Sequence, residues 1–155
     1  MTGREDVARR AYQALKHRKI HDKVDLIRQG NQIGIGRAGI ALWKAGDTAP
    51  GARVLRRMAF AGYDVVWILI GRTGKRVHLE PRPDEPRGQI GRRMVEETVR
   101  IAGERKQSVK EAERVLGICH PTYRYWAAGE RDPEAAVLQA ACRLGYDIYY
   151  ILCGR

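Results

Sequence analysis

Gly62-Tyr63-Asp64-Val65-Val66-Trp67-Ile68-Leu69-Ile70-Gly71-Arg72 returns 83 residues later as Gly145-Tyr146-Asp147-Ile148-Tyr149-Tyr150-Ile151-Leu152-Cys153-Gly154-Arg155. The same offset lays Trp43-Lys44-Ala45-Gly46 on Trp126-Ala127-Ala128-Gly129, Pro50 on Pro133, and Val54-Leu55 on Val137-Leu138. Residues 33–72 and 116–155 share 16 identities in 40 positions without a gap. The chain of 155 residues therefore carries an internal duplication, and the fold question becomes what one copy forms. The copies span 1–72 and 90–155. Between them, at 73–89, Pro81, Pro83 and Pro86 forbid a continuous helix and predict a fairly stiff, extended linker.

Each copy reads as helices. In the second, Arg92 to Ala102 sets Met94, Val95, Val99, Ile101 and Ala102 on a broad apolar stripe of helical period. Ser108-Val109-Lys110-Glu111 has the form of a capping box, in which a hydroxyl satisfies the N3 amide of the next helix. That helix is expected to bury Ala112 and Val115, with Leu116 near its end, and to stop at Gly117. Pro121 suits the first turn of a third helix, where its missing N–H costs nothing, and Gly129 suits the end of that helix. Pro133 opens a fourth helix with Val137, Leu138, Ala141 and Cys142. Asp147 caps a short fifth helix whose Ile148, Ile151 and Leu152 point inward, closed by Gly154. The first copy follows the same plan, with Asp25 at the cap position that matches Ser108. Its first helix runs from Glu5 to His17 and turns Val7, Ala11, Leu15 and Tyr12 inward. No stretch alternates as a strand would, so the expected class is all-α: two tandem copies of a compact five-helix domain.

Composition narrows the partners. The formal net charge is +11, and such a field favours polyanions without dictating a fold. The charge is uneven: residues 1–72 hold 14 Lys/Arg against 6 Asp/Glu, whereas residues 90–155 hold 11 against 9. No apolar run approaches the roughly 20 residues that span a bilayer. The first residues, Met1-Thr2-Gly3-Arg4-Glu5-Asp6, lack the apolar core of a signal peptide, which predicts a cytoplasmic protein with no membrane partner. Cys119, Cys142 and Cys153 are odd in number and show no metal-ligand spacing, as expected of reduced thiols.

Leu116-Gly117-Ile118-Cys119-His120-Pro121-Thr122-Tyr123-Arg124-Tyr125-Trp126, followed by Gly129, Pro133 and the ending 145–154, resembles the phage repressor (Cro/CI-type) helix-turn-helix domains. The ending 62–71 of the first copy is similar to that family too. The resemblance implies a recognition helix that enters the major groove of double-stranded DNA, whose width of about 12 Å admits one helix. It places His120, Pro121, Thr122, Arg124 and Tyr125 at the groove in copy two, and Arg37, Ala38 and Ala41 in copy one. Arg124 is the strongest base reader, since its fork can pair bidentately with guanine. Tyr123 and Ile40 fall on core-facing positions, and Trp43 and Trp126 close the core. The family usually caps its recognition helix with serine. Here Gly36 and Cys119 stand instead, and the glycines at 34, 36 and 39 weaken the first recognition helix.

Two chemical motifs fail on context. Gly34-Ile35-Gly36-Arg37-Ala38-Gly39 matches the dinucleotide fingerprint but has neither the preceding strand nor the βαβ unit that it needs. Gly71-Arg72-Thr73-Gly74-Lys75-Arg76 resembles a P-loop, but Leu69 replaces the first glycine. The single serine, Ser108, is taken by a helix cap, so no serine nucleophile is left for the self-cleavage of larger repressors. No catalytic constellation, metal or cofactor is expected. The expected function is a transcriptional regulator that binds double-stranded DNA sequence-specifically. The alternative is that one copy binds DNA while the other mediates self-association, as in a homodimer, or docks a partner from the transcription machinery.

Overall fold

The computed structural model describes residues 3–18, 23–74 and 77–155. Met1 and Thr2 of the N-terminal reading, and residues 75 and 76 of the linker, lie outside them. The described residues form helices without strands: α1 (Gly3–Lys16), α2 (Lys23–Gln32), α3 (Arg37–Ala45), α4 (Ala52–Phe60), α5 (Val65–Ile70), α6 (Gln89–Glu104), α7 (Val109–Leu116), α8 (His120–Ala127), α9 (Ala135–Arg143) and α10 (Ile148–Cys153). Adding 83 to the bounds of α4 and α5 gives those of α9 and α10, so the repeat in sequence is a repeat of helices. Among the described residues no helix is long and apolar enough to cross a membrane.

Local chemistry explains the boundaries. Asp64 and Asp147 accept the third amide of α5 and α10, at 3.0 Å in each case. Ser108 does the same for Glu111 at 3.2 Å. In α1, Val7, Ala11 and Leu15 recur every four residues and are fully buried, with Tyr12 at the edge of the core. Three expectations need correction. Asp25 lies in the first turn of α2, which starts at Lys23, and not at the cap position before it; its carboxylate is 4.0 Å from Arg28. Val99 is 51% exposed, because the buried face of α6 runs through Ile90, Met94, Glu97, Thr98 and Ile101, on the far side of the helix from Val99. Val115 is 46% exposed, since Glu113 takes the inward position beside Ala112 and Leu116.

Within each set, the first helix packs on the third and the fifth: α1 on α3 and α5, α6 on α8 and α10. An arginine from that first helix closes the C-terminal end of the fifth, whose last carbonyls have no partner within the helix. Arg10 donates from Nε to the Ile68 carbonyl and from Nη2 to that of Leu69, both at 2.7 Å. Its equivalent Arg93 donates to the carbonyls of Ile151 (2.8 Å) and Leu152 (3.1 Å).

The two sets do not stand apart. Helix α4 packs on α10, α5 on α9, and α1 also reaches α9, so the buried side chains of both sets form one continuous cluster. Two buried polar side chains bridge the contact. Arg56 Nη1 donates to the Leu152 carbonyl at 3.2 Å, and Gln139 Nε2 donates to the Leu69 carbonyl at 2.9 Å. Residues 77–88 contain no helix, as the prolines require, whereas Gln89, the last residue of the expected linker, already begins α6; the segment is strapped down. Leu79 is buried, and the Pro83 carbonyl accepts from Arg56 Nη2 at 3.0 Å. Asp84 pairs with Arg57, and Glu85 pairs with Arg93 and lies 3.8 Å from Arg56.

Candidate nucleic-acid interface

The surface that matters is built by a tight turn between two helices, made twice. After α2 the chain reverses through Gly34 at φ +81°, and after α7 through Gly117 at φ +75°. This left-handed region favours glycine because a Cβ crowds the backbone there. The amide of Ile35 bonds back to the Gly30 carbonyl at 2.8 Å, and that of Ile118 to the Glu113 carbonyl at 3.1 Å. Ile35 and Ile118 pack against the core. Extended Gly36 and Cys119 then start α3 and α8. Buried Ile40 and Trp43 hold α3 down, and half-buried Tyr123 and buried Trp126 hold α8.

These anchors decide what points out. On α3, Arg37, Ala38 and Ala41 are exposed; on α8, His120, Pro121, Arg124 and Tyr125 are exposed, and Thr122 is half-buried. Neither Arg37 nor Arg124 has a hydrogen-bonding or ionic partner among the described residues, so both guanidinium forks are available. His120, Pro121, Arg124 and Tyr125 share one shallow depression with Ala128 and Glu130. Arg37 and Ala41 line a more apolar depression with Tyr12, Leu26, Ile27, Ile40 and Lys44.

The two turn units differ in how α3 and α8 are seated. In the first, α2 and α3 approach so closely that a Cβ on Gly30 would lie 2.6 Å from Ile40 Cδ1 and 2.7 Å from the Ile35 carbonyl oxygen. The equivalent position in the second unit carries Glu113, only 5% exposed, whose carboxylate reaches His120 Nδ1 at 2.9 Å. His120 also stacks on Tyr123, with ring centroids 6.3 Å apart. Thr122 turns its hydroxyl to Cys119 Sγ at 3.2 Å, and hydrogen bonding from Thr122 draws the Cys119 thiol below its ordinary pKa. Tyr125 lies under the Arg131 guanidinium, 4.0 Å from the ring centroid.

Sequence reading missed three members of this surface. Lys44 continues the spacing Arg37, Ala41, Lys44 at i, i+4 and i+7, so helical periodicity alone could have found it. Arg131 comes from the loop after α8 and carries no periodic signal. Glu113 reads as a solvent residue until its bond to His120 is seen. The chain matches no protein-family model, no curated protein and no solved structure.

Proposed function

We propose that the chain is a non-enzymatic, sequence-specific double-stranded DNA-binding regulator of transcription, of phage-repressor type. In this reading it is two tandem five-helix helix-turn-helix domains, with α3 and α8 as recognition helices and residues 73–89 as the segment that joins them. The observation that carries it is the doubled unit of helix, left-handed glycine turn and anchored helix. Each copy leaves on its outer face an arginine fork, Arg37 or Arg124, that is unpaired among the described residues. The net charge of +11 supports it, since phosphate neutralisation supplies most of the affinity for a duplex. Affinity should fall with salt on a log–log slope on the order of −4 to −8. Arg124→Ala should weaken the preferred site by about 1–3 kcal/mol and leave random duplex almost unchanged. Fluorescence anisotropy with both duplexes measures each quantity, and a slope near zero refutes the proposal.

The second reading, in which only α8 reads DNA and copy one serves self-association or a partner, is favoured by the apolar lining beside α3 and by Leu42, 41% exposed. Because the sets share a core, the discriminating comparison uses intact chains. Arg37→Ala weakens specific binding if both copies read DNA and leaves it unchanged if only α8 does.

A further inference from the structure

The contact between the two five-helix sets has a symmetry that the repeat alone does not require. In a head-to-tail arrangement, α4 would touch α10 while the equivalent pair, α9 and α5, would lie apart. Both pairs are in contact. The bridging hydrogen bonds exchange in the same way: Arg56 reaches the Leu152 carbonyl, and Gln139 reaches that of Leu69. Here 56 plus 83 is 139 and 69 plus 83 is 152. Residue i meets j of the other copy while j meets i, which is the signature of an isologous, two-fold contact. It is an approximate two-fold, since Arg56 also binds the strap at Pro83, while α1 adds a contact to α9.

A two-fold that exchanges the sets exchanges α3 with α8. Resting on the DNA-binding reading above, we infer that one chain recognises an imperfect inverted repeat, with α3 on one half-site and α8 on the other. Direct repeats follow from translation of one reader to the next; readers related by a two-fold match half-sites of opposite sense. The halves are unlike because the outward residues are unlike. Arg37 stands at the start of α3, whereas Arg124 stands one turn into α8, where copy one has Ala41. An arginine-read guanine therefore falls at a different distance from the centre of each half. The shared core and the pinned strap hold the readers in one relation, so the spacing between the half-sites is fixed.

The test is selection of the intact chain on a random duplex library, followed by native mass spectrometry of the selected duplex. The inference expects an inverted repeat of two unlike halves bound by one chain. Inserting five base pairs at its centre should lower affinity at least about tenfold, toward that of a single half, because the second reader no longer adds to the first. Arg37→Ala should relax one half and Arg124→Ala the other. A direct repeat, a single undivided motif, or a symmetric repeat that holds two chains overturns the inference and leaves sequence-specific binding standing. No enrichment, with no salt-dependent binding to any duplex, overturns both.

Discussion

Replacing Arg56 by leucine tests whether the two five-helix sets are one cooperative body. Arg56 is 4% exposed and sits 4.7 Å from the ring centroid of Phe60. Its guanidinium makes two hydrogen bonds to carbonyls, at 3.2 and 3.0 Å, and faces Glu85 at 3.8 Å. Hydrogen bonds from a charged group contribute about 1.5–3 kcal/mol each, and removing one partner of a buried pair typically costs about 3–5 kcal/mol. The cost here is smaller. Glu85 and the Leu152 carbonyl both keep Arg93, so the Pro83 carbonyl alone loses its donor. Removing the guanidinium also lifts its own desolvation penalty, and leucine restores apolar contact. We expect a loss of about 2–3 kcal/mol. Urea denaturation followed by circular dichroism measures it, and hydrogen exchange with mass spectrometry shows where it is felt. Protection in α1 and α6 should fall together in a single transition. A loss below about 0.5 kcal/mol, or faster exchange in one set alone, refutes the picture of a shared core.

Other consequences are separable. Burial pushes the Cys153 thiol from an ordinary 9.0 up to about 11, so its contribution to stability is intact below pH 9 and is lost as pH rises toward 11. The stability difference between the parent chain and Cys153→Ala should therefore shrink by about 2–3 kcal/mol across that interval. A difference independent of pH rules this out. Cys119, exposed and drawn below its ordinary pKa, should react with iodoacetamide before Cys142, which burial holds at about 11. Peptide mapping after brief labelling reads the order, and equal rates would contradict it. Gly117→Ala meets no atom within 4 Å, so its cost is the left-handed backbone term alone, about 1–2 kcal/mol. Gly30 lies inside α2 without a left-handed φ, so Gly30→Ala gains about 1 kcal/mol of helix propensity but collides with Ile40 and the Ile35 carbonyl, and should be destabilising by about 1–2 kcal/mol net. Thermal denaturation in which Gly30→Ala stabilises the chain, as helix propensity alone would have it, would refute the close approach of α2 and α3.

Much of each helical set was legible because the signals are local. A repeat offset, aspartate caps and glycine stops need only neighbours in sequence, and they locate α5 and α10; Pro133, read as the opening of the fourth helix, lies two residues before the start of α9 at Ala135. Val99 and Val115 face solvent, although an apolar residue on an amphipathic helix reads as facing inward. The space belongs instead to Glu97, whose Oε2 accepts the amide of Asp147 at 3.0 Å, and to Glu113, bonded to His120. Carboxylates read as solvent residues unless the buried donor is known. The contact between sets was hidden for the same reason: Arg56, Gln139 and Glu85 look like surface residues, and nothing in a periodicity links 56 to 152. At the candidate interface, the outward positions of Arg37 and Arg124 followed from the core positions beside them. The seat of His120 did not, because it depends on a carboxylate seven residues earlier on a different helix.

In an assembly of two identical chains every substitution is made twice, and a residue that suits one half must suit the other. The internal two-fold described above has no such constraint, because its halves are written separately. Position 30 is glycine and its counterpart 113 glutamate; position 56 holds arginine, which bonds to Leu152 and to the strap at Pro83, while its counterpart 139 holds glutamine, which bonds to Leu69. A change at α8 leaves α3 as it was. The two outward faces can thus change one residue at a time, each independently of the other, while the contact between the sets stays intact.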